Sequence, residues 1–322
     1  MNYIKYLIVC DFDRTWADTF SPSPNGIDVN KAYTYAVQSI FGEAGLEVYA
    51  KMGGLQNKAP VELIETILLS EDREYLIKKA KKFFQENNNF LKELIPKGKG
   101  FPLEWQAGHF WNPNGVITEI LVRKKLQYLM GEIGKSWPCL YQGIREFLKA
   151  ISEMNANEID IQLAVISSGH EKFIQKVFKV WGISCPKILV TDDDMRGRNG
   201  YPKEMSARIK PSVTLFDLAH LKWFHSIYKV NTNQLQLVRF LMESRKRMIY
   251  FGDDPIKDGK LAEVACVPFG WFNQDKRLNS SLAGEFFSFN DWQIMTEFFS
   301  KKNTVKAFEE GKSFKEIIQP LL

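Results

Sequence analysis

The sequence predicts an α/β protein in which a parallel β-sheet core is interrupted by a long helical insertion. Short apolar runs that fit strands buried on both faces recur at 4–10, 161–166, 187–190, 248–251 and 265–271. Helical patterns lie between most of these runs, and such alternation is typical of an open parallel sheet. Residues 20–136, by contrast, contain no convincing strand pattern and indicate a helical segment.

Helices are predicted where apolar side chains recur three or four residues apart. Two such helices, at 143–154 and 233–243, belong to the sheet region. In the insertion, residues 95–115 are rich in Pro, Gly and Asn and are predicted to form a long loop. The end of the chain, 304–322, is predicted to be a helix that docks on the body. The helix-like stretches of the insertion are at about 30–43, 60–69, 72–92 and 115–133.

The composition is that of a folded protein of 322 residues, enough for two domains or one large one. Hydrophobic residues make up 45% of the chain and charged residues 25%, which excludes an intrinsically disordered protein. The formal net charge of +5 favours the approach of an anionic ligand. It is too small for a dedicated nucleic-acid binder, so no nucleic-acid partner is predicted.

The cysteines are widely spaced and form no CxxC pair, which argues against a disulfide framework and against a zinc ribbon. This usage predicts a reducing, cytoplasmic environment. No apolar run approaches the ~18–20 residues that span a bilayer, so we expect no transmembrane segment. Lys5 interrupts the apolar start of the chain, which is therefore predicted to be a strand rather than a signal peptide. The four cysteines are Cys10, Cys139, Cys185 and Cys266.

The strongest candidate for chemistry follows the first predicted strand. There Asp11-Phe12-Asp13-Arg14-Thr15 places two carboxylates two residues apart. Buried carboxylates are costly unless they hold a cation or take part in a reaction. The carboxyl end of a parallel strand is also where open α/β sheets bind ligands. Asp11 and Asp13 are therefore candidate site residues, and the alternative is an aspartate that only caps the next helix.

Two further segments carry candidate phosphate ligands. Ser167 and Ser168 follow the strand at 161–166 and, with Gly169, suit a turn whose hydroxyl and amides close on phosphate oxygens. An ordinary strand-to-helix cap is the alternative there. Lys210 precedes a predicted helix and could place its ammonium group at the edge of the sheet.

The strand at 248–251 again ends in carboxylates, because Gly252-Asp253-Asp254 follows it and Asp258 is close behind. Two acidic strand ends in one sheet repel each other, and a divalent cation relieves that repulsion. Ligands that are all oxygen favour magnesium over zinc. The sequence therefore predicts a Mg2+ site at this edge.

As a set, these segments resemble the four motifs of the haloacid dehalogenase superfamily of phosphohydrolases, in the family's order. The motifs are Asp11-Phe12-Asp13-Arg14-Thr15, then Ser167, then Lys210, then Gly252-Asp253-Asp254 with Asp258. The resemblance implies a Rossmann-like catalytic core at 1–20 and 137–322. It also implies an all-helical cap domain at 21–136, inserted after the first motif.

The resemblance also implies a role for each matching residue. Asp11 matches the nucleophile, which forms an aspartyl-phosphate, and Asp13 matches the general acid/base. Ser167 and Lys210 match the phosphate ligands, and we add Ser168 as their neighbour. For Mg2+, the implied ligands are the Asp11 carboxylate, the Asp13 backbone carbonyl and Asp253. Either Asp254 or Asp258 would support the metal.

The expected activity is that of a Mg2+-dependent phosphatase acting on a small phosphorylated metabolite. Asp13 separates this chain from the family's dehalogenases, which lack an aspartate there because a departing halide needs no proton. Two alternatives are a protein tyrosine phosphatase of the same fold, with a phosphoprotein as its partner, and a non-catalytic binding module that works through the cap.

Residues 30–69 resemble the first helices of the family's sugar-phosphate and phosphoglycolate phosphatases. In that branch the loop between the helices reaches the site, so Gln56, Asn57 and Lys58 are candidate specificity residues; a surface turn is the alternative. The aromatic stretch at 101–111 is interpreted as a lid, a partner surface or packing under a loop.

Overall fold

The computed structural model divides the chain into two compact units. One unit is formed by Met1–Asp18 together with Pro138–Leu322, and the other by Thr19–Trp137. Gln56, Asn57, Lys58, the predicted loop at 95–115 and the aromatic stretch at 101–111 lie outside the described residues. The structure describes residues 5–22, 24–54, 60–86, 116–132, 138–156, 159–195, 210–228, 234–276 and 285–322.

The first unit is built on a parallel sheet of six strands in the order β5-β4-β1-β6-β7-β8, and two short strands, β2 and β3, form a separate antiparallel pair. This sheet confirms the predicted fold class. The strands are β1 (Lys5–Cys10), β2 (Ala17–Asp18), β3 (Cys139–Leu140), β4 (Asp160–Ile166), β5 (Ile188–Val190), β6 (Met248–Gly252), β7 (Phe269–Phe272) and β8 (Phe286–Phe289).

The register of the three central strands brings their carboxyl ends together. Cys10, the last residue of β1, lies opposite Val165 in β4 and opposite Phe251 in β6. β1 is buried along nearly its whole length, because helices cover both faces of a parallel sheet. The residues that follow these strands therefore meet at one edge, and among them are the predicted site residues Asp11, Ser167 and Asp253.

The strand predictions differ from the structure at one boundary and at three strands that were not predicted, two of which are the short strands β2 and β3. The fifth predicted strand, 265–271, begins only at Phe269, because the preceding residues form a turn in which Cys266 has φ 54° and Val267 N donates to Ala262 O. Strand β8 was missed. Its alternating burial and short aromatic sequence gave a weaker pattern than the fully buried strands.

Helices follow the strands of the sheet unit. The two helices predicted at 143–154 and 233–243 are confirmed, and they extend over Ile144–Ala156 and Gln234–Ser244. A buried cluster that includes Leu7, Val9, Trp223 and Tyr250 joins the sheet to its helices. The helices are α5 (Ile144–Ala156), α6 (Glu171–Trp181), α7 (Asp192–Met195), α8 (Val213–Ile227), α9 (Gln234–Ser244), α10 (Lys260–Val264), α11 (Trp292–Ser300), α12 (Lys302–Glu309) and α13 (Phe314–Ile318).

The described elements of the second unit are all helices, which pack on a core of their own that includes Val37, Phe41 and Leu63. The predicted helix at 30–43 extends to Lys51 and is kinked at Gly42, which has φ 68°. Across the described chain, no helix has the length and apolarity needed to cross a membrane. The helices, numbered from the start of the chain, are α1 (Val29–Lys51), α2 (Pro60–Leu69), α3 (Arg73–Glu86) and α4 (Val116–Glu132).

The chain ends in two helices, so the prediction of a single helix at 304–322 is wrong. Gly311, with φ 73°, breaks the run in the left-handed conformation that glycine tolerates best. The predicted docking of Ile317, Ile318, Leu321 and Leu322 is confirmed for Ile317 and Ile318, which are buried, but not for Leu322, which is half exposed. The rings of Phe308 and Phe314 also pack edge-on against Tyr6 in β1, at centroid distances of 4.7 and 5.5 Å.

Candidate active site

The Asp11 carboxylate lies at the centre of the site. Its backbone N–H donates to Phe251 O at 2.8 Å, which continues the β1–β6 ladder by one residue and places the side chain just beyond the strand ends. Only 6% of Asp11 is exposed, and Thr15 Oγ1 donates to its Oδ2 at 3.4 Å. Burial raises the pKa of Asp11 well above its usual range, although Lys210 opposes this shift.

Lys210 connects the two acidic strand ends. Its ammonium group donates to Asp11 Oδ1 and, at 2.8 Å, to Asp258 Oδ1. Burial alone would lower the pKa of Lys210, but the carboxylates of Asp11 and Asp258 outweigh burial and raise it. The lysine therefore carries a positive charge into a site where three carboxylates gather.

Asp258 is the most heavily bonded of these carboxylates. Its Oδ1 also accepts from Tyr250 Oη at 3.0 Å, and its Oδ2 accepts from Asp254 N at 3.2 Å. The side chain of Asp258 lies so close to Gly252 that a Cβ atom there would overlap it. The glycine of the fourth motif thus makes room for the aspartate six residues later.

Asp13 and Ser167 are bonded to each other. Ser167 Oγ donates to Asp13 Oδ2 at 3.1 Å and accepts from Gly169 N at 2.9 Å. Ser167 is fully buried, whereas its neighbour Ser168 is exposed. The structure therefore brings Ser167, but not the Ser168 side chain, into a bond with a predicted catalytic residue.

Asp253 lies between the buried cluster and a half-exposed arginine. Burial and the nearby Asp258 carboxylate raise the pKa of Asp253 to about 7. Arg14 opposes the shift, because its Nε lies 3.7 Å from Asp253 Oδ2. Arg14 Nη2 also lies 3.4 Å from Asp275 Oδ2, so the guanidinium bridges the residues after β6 and β7. Sequence reasoning gave no role to Asp275.

The geometry separates the two aspartates that the sequence left as alternatives. Asp254 Oδ1 accepts from the backbone amides of Ile256 and Lys257 at 2.9 and 3.0 Å, so this side chain caps the turn Pro255–Gly259. Asp258 instead lies with Asp11 and Asp253, and one carboxylate oxygen from each falls within 4.8 Å of the others.

These three carboxylates fit the predicted divalent cation. Their donor atoms are all oxygen, the kind of ligand that Mg2+ prefers. Three acidic groups so close together repel one another, and the raised pKa values of Asp11 and Asp253 reflect this repulsion together with burial. A cation would favour the ionised form of all three.

Sequence reasoning did not assign Tyr250 to the site. It lies in the middle of β6, fully buried, in a run that is typical of a strand core. The available signal was its position three residues before Asp253, with a polar hydroxyl in a strand otherwise apolar up to Gly252.

Comparison with known proteins gives structural matches only: no protein-family model and no curated protein matches the sequence. Similar solved structures include a 2-haloacid dehalogenase from Pseudomonas syringae pv. Tomato DC3000, at 13% identity over 91% of this chain and 96% of that chain, with a TM-score of 0.45.

Two further structures align over a comparable length. A HAD phosphatase from Thermococcus onnurineus is 13% identical over 92% of this chain and 98% of that chain, with a TM-score of 0.44. CbbY from Rhodobacter sphaeroides, in complex with phosphate, is 17% identical over 89% and 95%, with a TM-score of 0.43. At these identities the likeness concerns the fold, and the case for chemistry comes from the side chains described above.

Proposed function

We propose that this protein is a Mg2+-dependent phosphomonoester hydrolase that acts on a small phosphorylated metabolite. The observation that carries the proposal is the arrangement around Asp11. Its carboxylate is bonded to Lys210 and gathered with Asp253 and Asp258, while Asp13 is bonded to Ser167 at the same edge of the sheet. The proposed nucleophile Asp11, the Lys210 ammonium group and the proposed acid/base group Asp13 thus occur together.

In the first step, a carboxylate oxygen of Asp11 attacks phosphorus, and the bond from phosphorus to the leaving oxygen breaks. Asp13, as a carboxylic acid, gives its proton to that oxygen, so the alcohol departs neutral. Lys210 offsets the charge of the phosphoryl oxygens, which otherwise repel the attacking carboxylate. The product is an aspartyl-phosphate on Asp11.

In the second step, Asp13 acts as a carboxylate and takes a proton from water. The water oxygen attacks phosphorus, the bond to Asp11 breaks, and inorganic phosphate leaves. Asp13 is then protonated again and Asp11 is free. The hydrogen bond from Ser167 Oγ fixes Asp13 Oδ2, so the group that exchanges the proton keeps its place through both steps.

Asp11, Asp253 and Asp258 would hold the Mg2+ ion, and the resemblance adds the Asp13 backbone carbonyl. When bound, Mg2+ supplies positive charge that neutralises phosphoryl oxygens and favours attack by an anion. The carboxylate of Asp254 is engaged with backbone amides and supports the site through the turn that carries Asp258.

The test is hydrolysis of p-nitrophenyl phosphate by the purified protein with Mg2+ and with EDTA. We expect turnover that EDTA abolishes, and a fall of at least about a thousandfold in Asp11→Asn, as for other nucleophiles removed from a working site. Asp160→Asn is the matched control, because its carboxylate lies at the amino end of β4. Turnover that survives Asp11→Asn would refute the proposal.

Release of halide from 2-chloropropionate tests the competing reaction of a nucleophilic aspartate. We expect no halide release. A halide leaves without taking up a proton, so an acid/base group such as Asp13 would not be needed in that reaction. Chloride release that depends on Asp11 but is unaffected by Asp13→Asn would favour a dehalogenase instead.

A further inference from the structure

Tyr250 has a buried phenol group whose ring lies among aromatic side chains. It is fully buried in β6, and the rings of Phe216 and Phe269 each lie 6.2 Å from its ring centre. Its neighbour Phe251 continues the aromatic strand. A hydroxyl in such surroundings is costly unless it is hydrogen-bonded. The reason for a tyrosine at this position therefore lies in what its Oη contacts.

The Oη of Tyr250 donates to Asp258 Oδ1 at 3.0 Å, the same oxygen that accepts from Lys210 at 2.8 Å. The Lys210 ammonium also lies 5.7 Å from the centre of the Tyr250 ring, within the range of a cation–π contact. One tyrosine thus touches both the carboxylate and the lysine that meet around Asp11.

The Tyr250 phenol and the Lys210 ammonium both donate to one oxygen of Asp258, and its second oxygen has a different partner. Oδ1 takes the phenol and the ammonium, whereas Oδ2 accepts a longer bond from Asp254 N. Hydrogen bonds to a ligating carboxylate set its orientation, and their loss typically lowers metal affinity or activity about 10–100-fold. Tyr250 makes such a bond to the carboxylate that clusters with Asp11 and Asp253.

We propose that Tyr250 is a positioning residue of this site: its phenol and ring fix Asp258 and Lys210, so that Lys210 stays on Asp11 and Asp258 keeps an oxygen in the carboxylate cluster. The proposal rests on the proposed phosphatase activity, because the groups that Tyr250 holds are those that bind metal and phosphate in that reaction.

Tyr250→Phe removes one oxygen atom and keeps the ring, and Tyr6→Phe is its matched control. Tyr6 is also a fully buried strand tyrosine, and its Oη donates to Lys312 O at 2.8 Å, at the opposite end of the sheet. Two measurements apply to both variants: kcat and KM for p-nitrophenyl phosphate, and the half-maximal Mg2+ concentration, at which half of the protein has bound the ion in a calorimetric titration.

We expect Tyr250→Phe to raise the half-maximal Mg2+ concentration about tenfold and to lower kcat by about the same factor. Tyr6→Phe should change each by less than about twofold, although it loses a buried hydrogen bond of the same kind. A double variant, Tyr250→Phe with Asp258→Asn, should lose little more activity than Asp258→Asn alone, because contacting residues are not additive.

Equal effects of Tyr250→Phe and Tyr6→Phe, or additive losses in the double variant, would overturn the positioning role while the phosphatase activity stands. A wild-type protein that neither hydrolyses the ester nor responds to Mg2+ would overturn the proposed function, and the role of Tyr250 with it. The wild-type measurement therefore distinguishes the two failures.

Discussion

Tyr6 near the amino end of strand β1 and Asp11 just beyond its carboxyl end are both buried, but their contacts differ in chemistry. At the amino end, the Tyr6 phenol donates to the backbone carbonyl of Lys312, and its ring packs against Phe308 and Phe314. At the carboxyl end, Asp11 is buried beside Lys210 and Asp258. The buried contacts of Tyr6 join neutral groups, whereas the buried contacts of Asp11 hold charges together.

This difference shows which end is organised for stability and which for reaction. Burial raises the pKa of Tyr6 to about 12, so its phenol stays neutral and its hydrogen bonds do not change with ordinary pH. Burial also raises the pKa values of Asp11 and Asp253, which means that the fold opposes the charged forms the chemistry needs. A site that holds disfavoured charges is a functional candidate on physical grounds.

The largest predicted effect comes from removing the lysine at the charged end. Lys210→Met leaves Asp11 and Asp258 without the one basic side chain that bonds to them in the described part of the chain. Breaking a buried ion pair by removing one partner costs about 3–5 kcal/mol. Urea unfolding at pH 8 in EDTA measures the loss, and added Mg2+ should restore part of it.

Lys5→Met is the control from the amino end of the same strand. Lys5 pairs with Asp160 at 3.2 Å, but about 30% of each side chain is exposed, so the loss should stay below about 1 kcal/mol. Similar losses in the two lysine variants would mean that the carboxylates at Asp11 are neutral in the folded protein and need no counter-charge.

The pH dependence of stability should come from the charged end as well. The pKa of Asp253 is about 7 in the fold, above the ~4 of an unfolded aspartate. Between these values the folded protein binds the extra proton, so this carboxyl makes the metal-free protein less stable as pH rises from about 4 to about 7. Asp253→Asn should remove that contribution, making the variant the more stable protein at pH 8 by roughly 2–4 kcal/mol.

Urea unfolding of wild type and Asp253→Asn in EDTA at pH 4.5 and pH 8, values chosen to lie near the ends of that window, gives the comparison. The difference should be small at the lower pH and large at the higher one. With Mg2+ at pH 8 it should shrink or reverse, since a cation favours the ionised aspartate. A difference that does not change with pH would contradict the raised pKa.

Much of the charged end could be predicted from the sequence, because Asp11, Asp13, Ser167 and Asp253 follow strands that are recognisable as apolar runs. Lys210 precedes a helix instead, and its prediction came from its place in the order of the four motifs. Parallel pairing brings strand ends together whatever the intervening sequence.

The remaining features depend on turns and contacts that periodicity does not encode. The distinction between Asp254 and Asp258 depends on the amides of the turn Pro255–Gly259, to which Asp254 bonds. Tyr250 has the pattern of a core strand residue, and only its contact with Asp258 separates it from a phenylalanine. Gly311 divides the last helix because it adopts a left-handed conformation, which a helical pattern does not reveal.

The smallest predicted effect is at the neutral end, in the helix that carries Phe314. Ser313 Oγ accepts from Glu316 N at 3.3 Å, and Glu316 Oε2 accepts from Ser313 N at 2.8 Å, which forms a capping box at the start of α13. Ser313→Ala should lower the free energy of unfolding by about 1 kcal/mol and leave kcat and the Mg2+ response unchanged. A change in the Mg2+ response would show that the two ends of β1 are coupled, because this cap begins the helix whose Phe314 ring packs on Tyr6 of the strand.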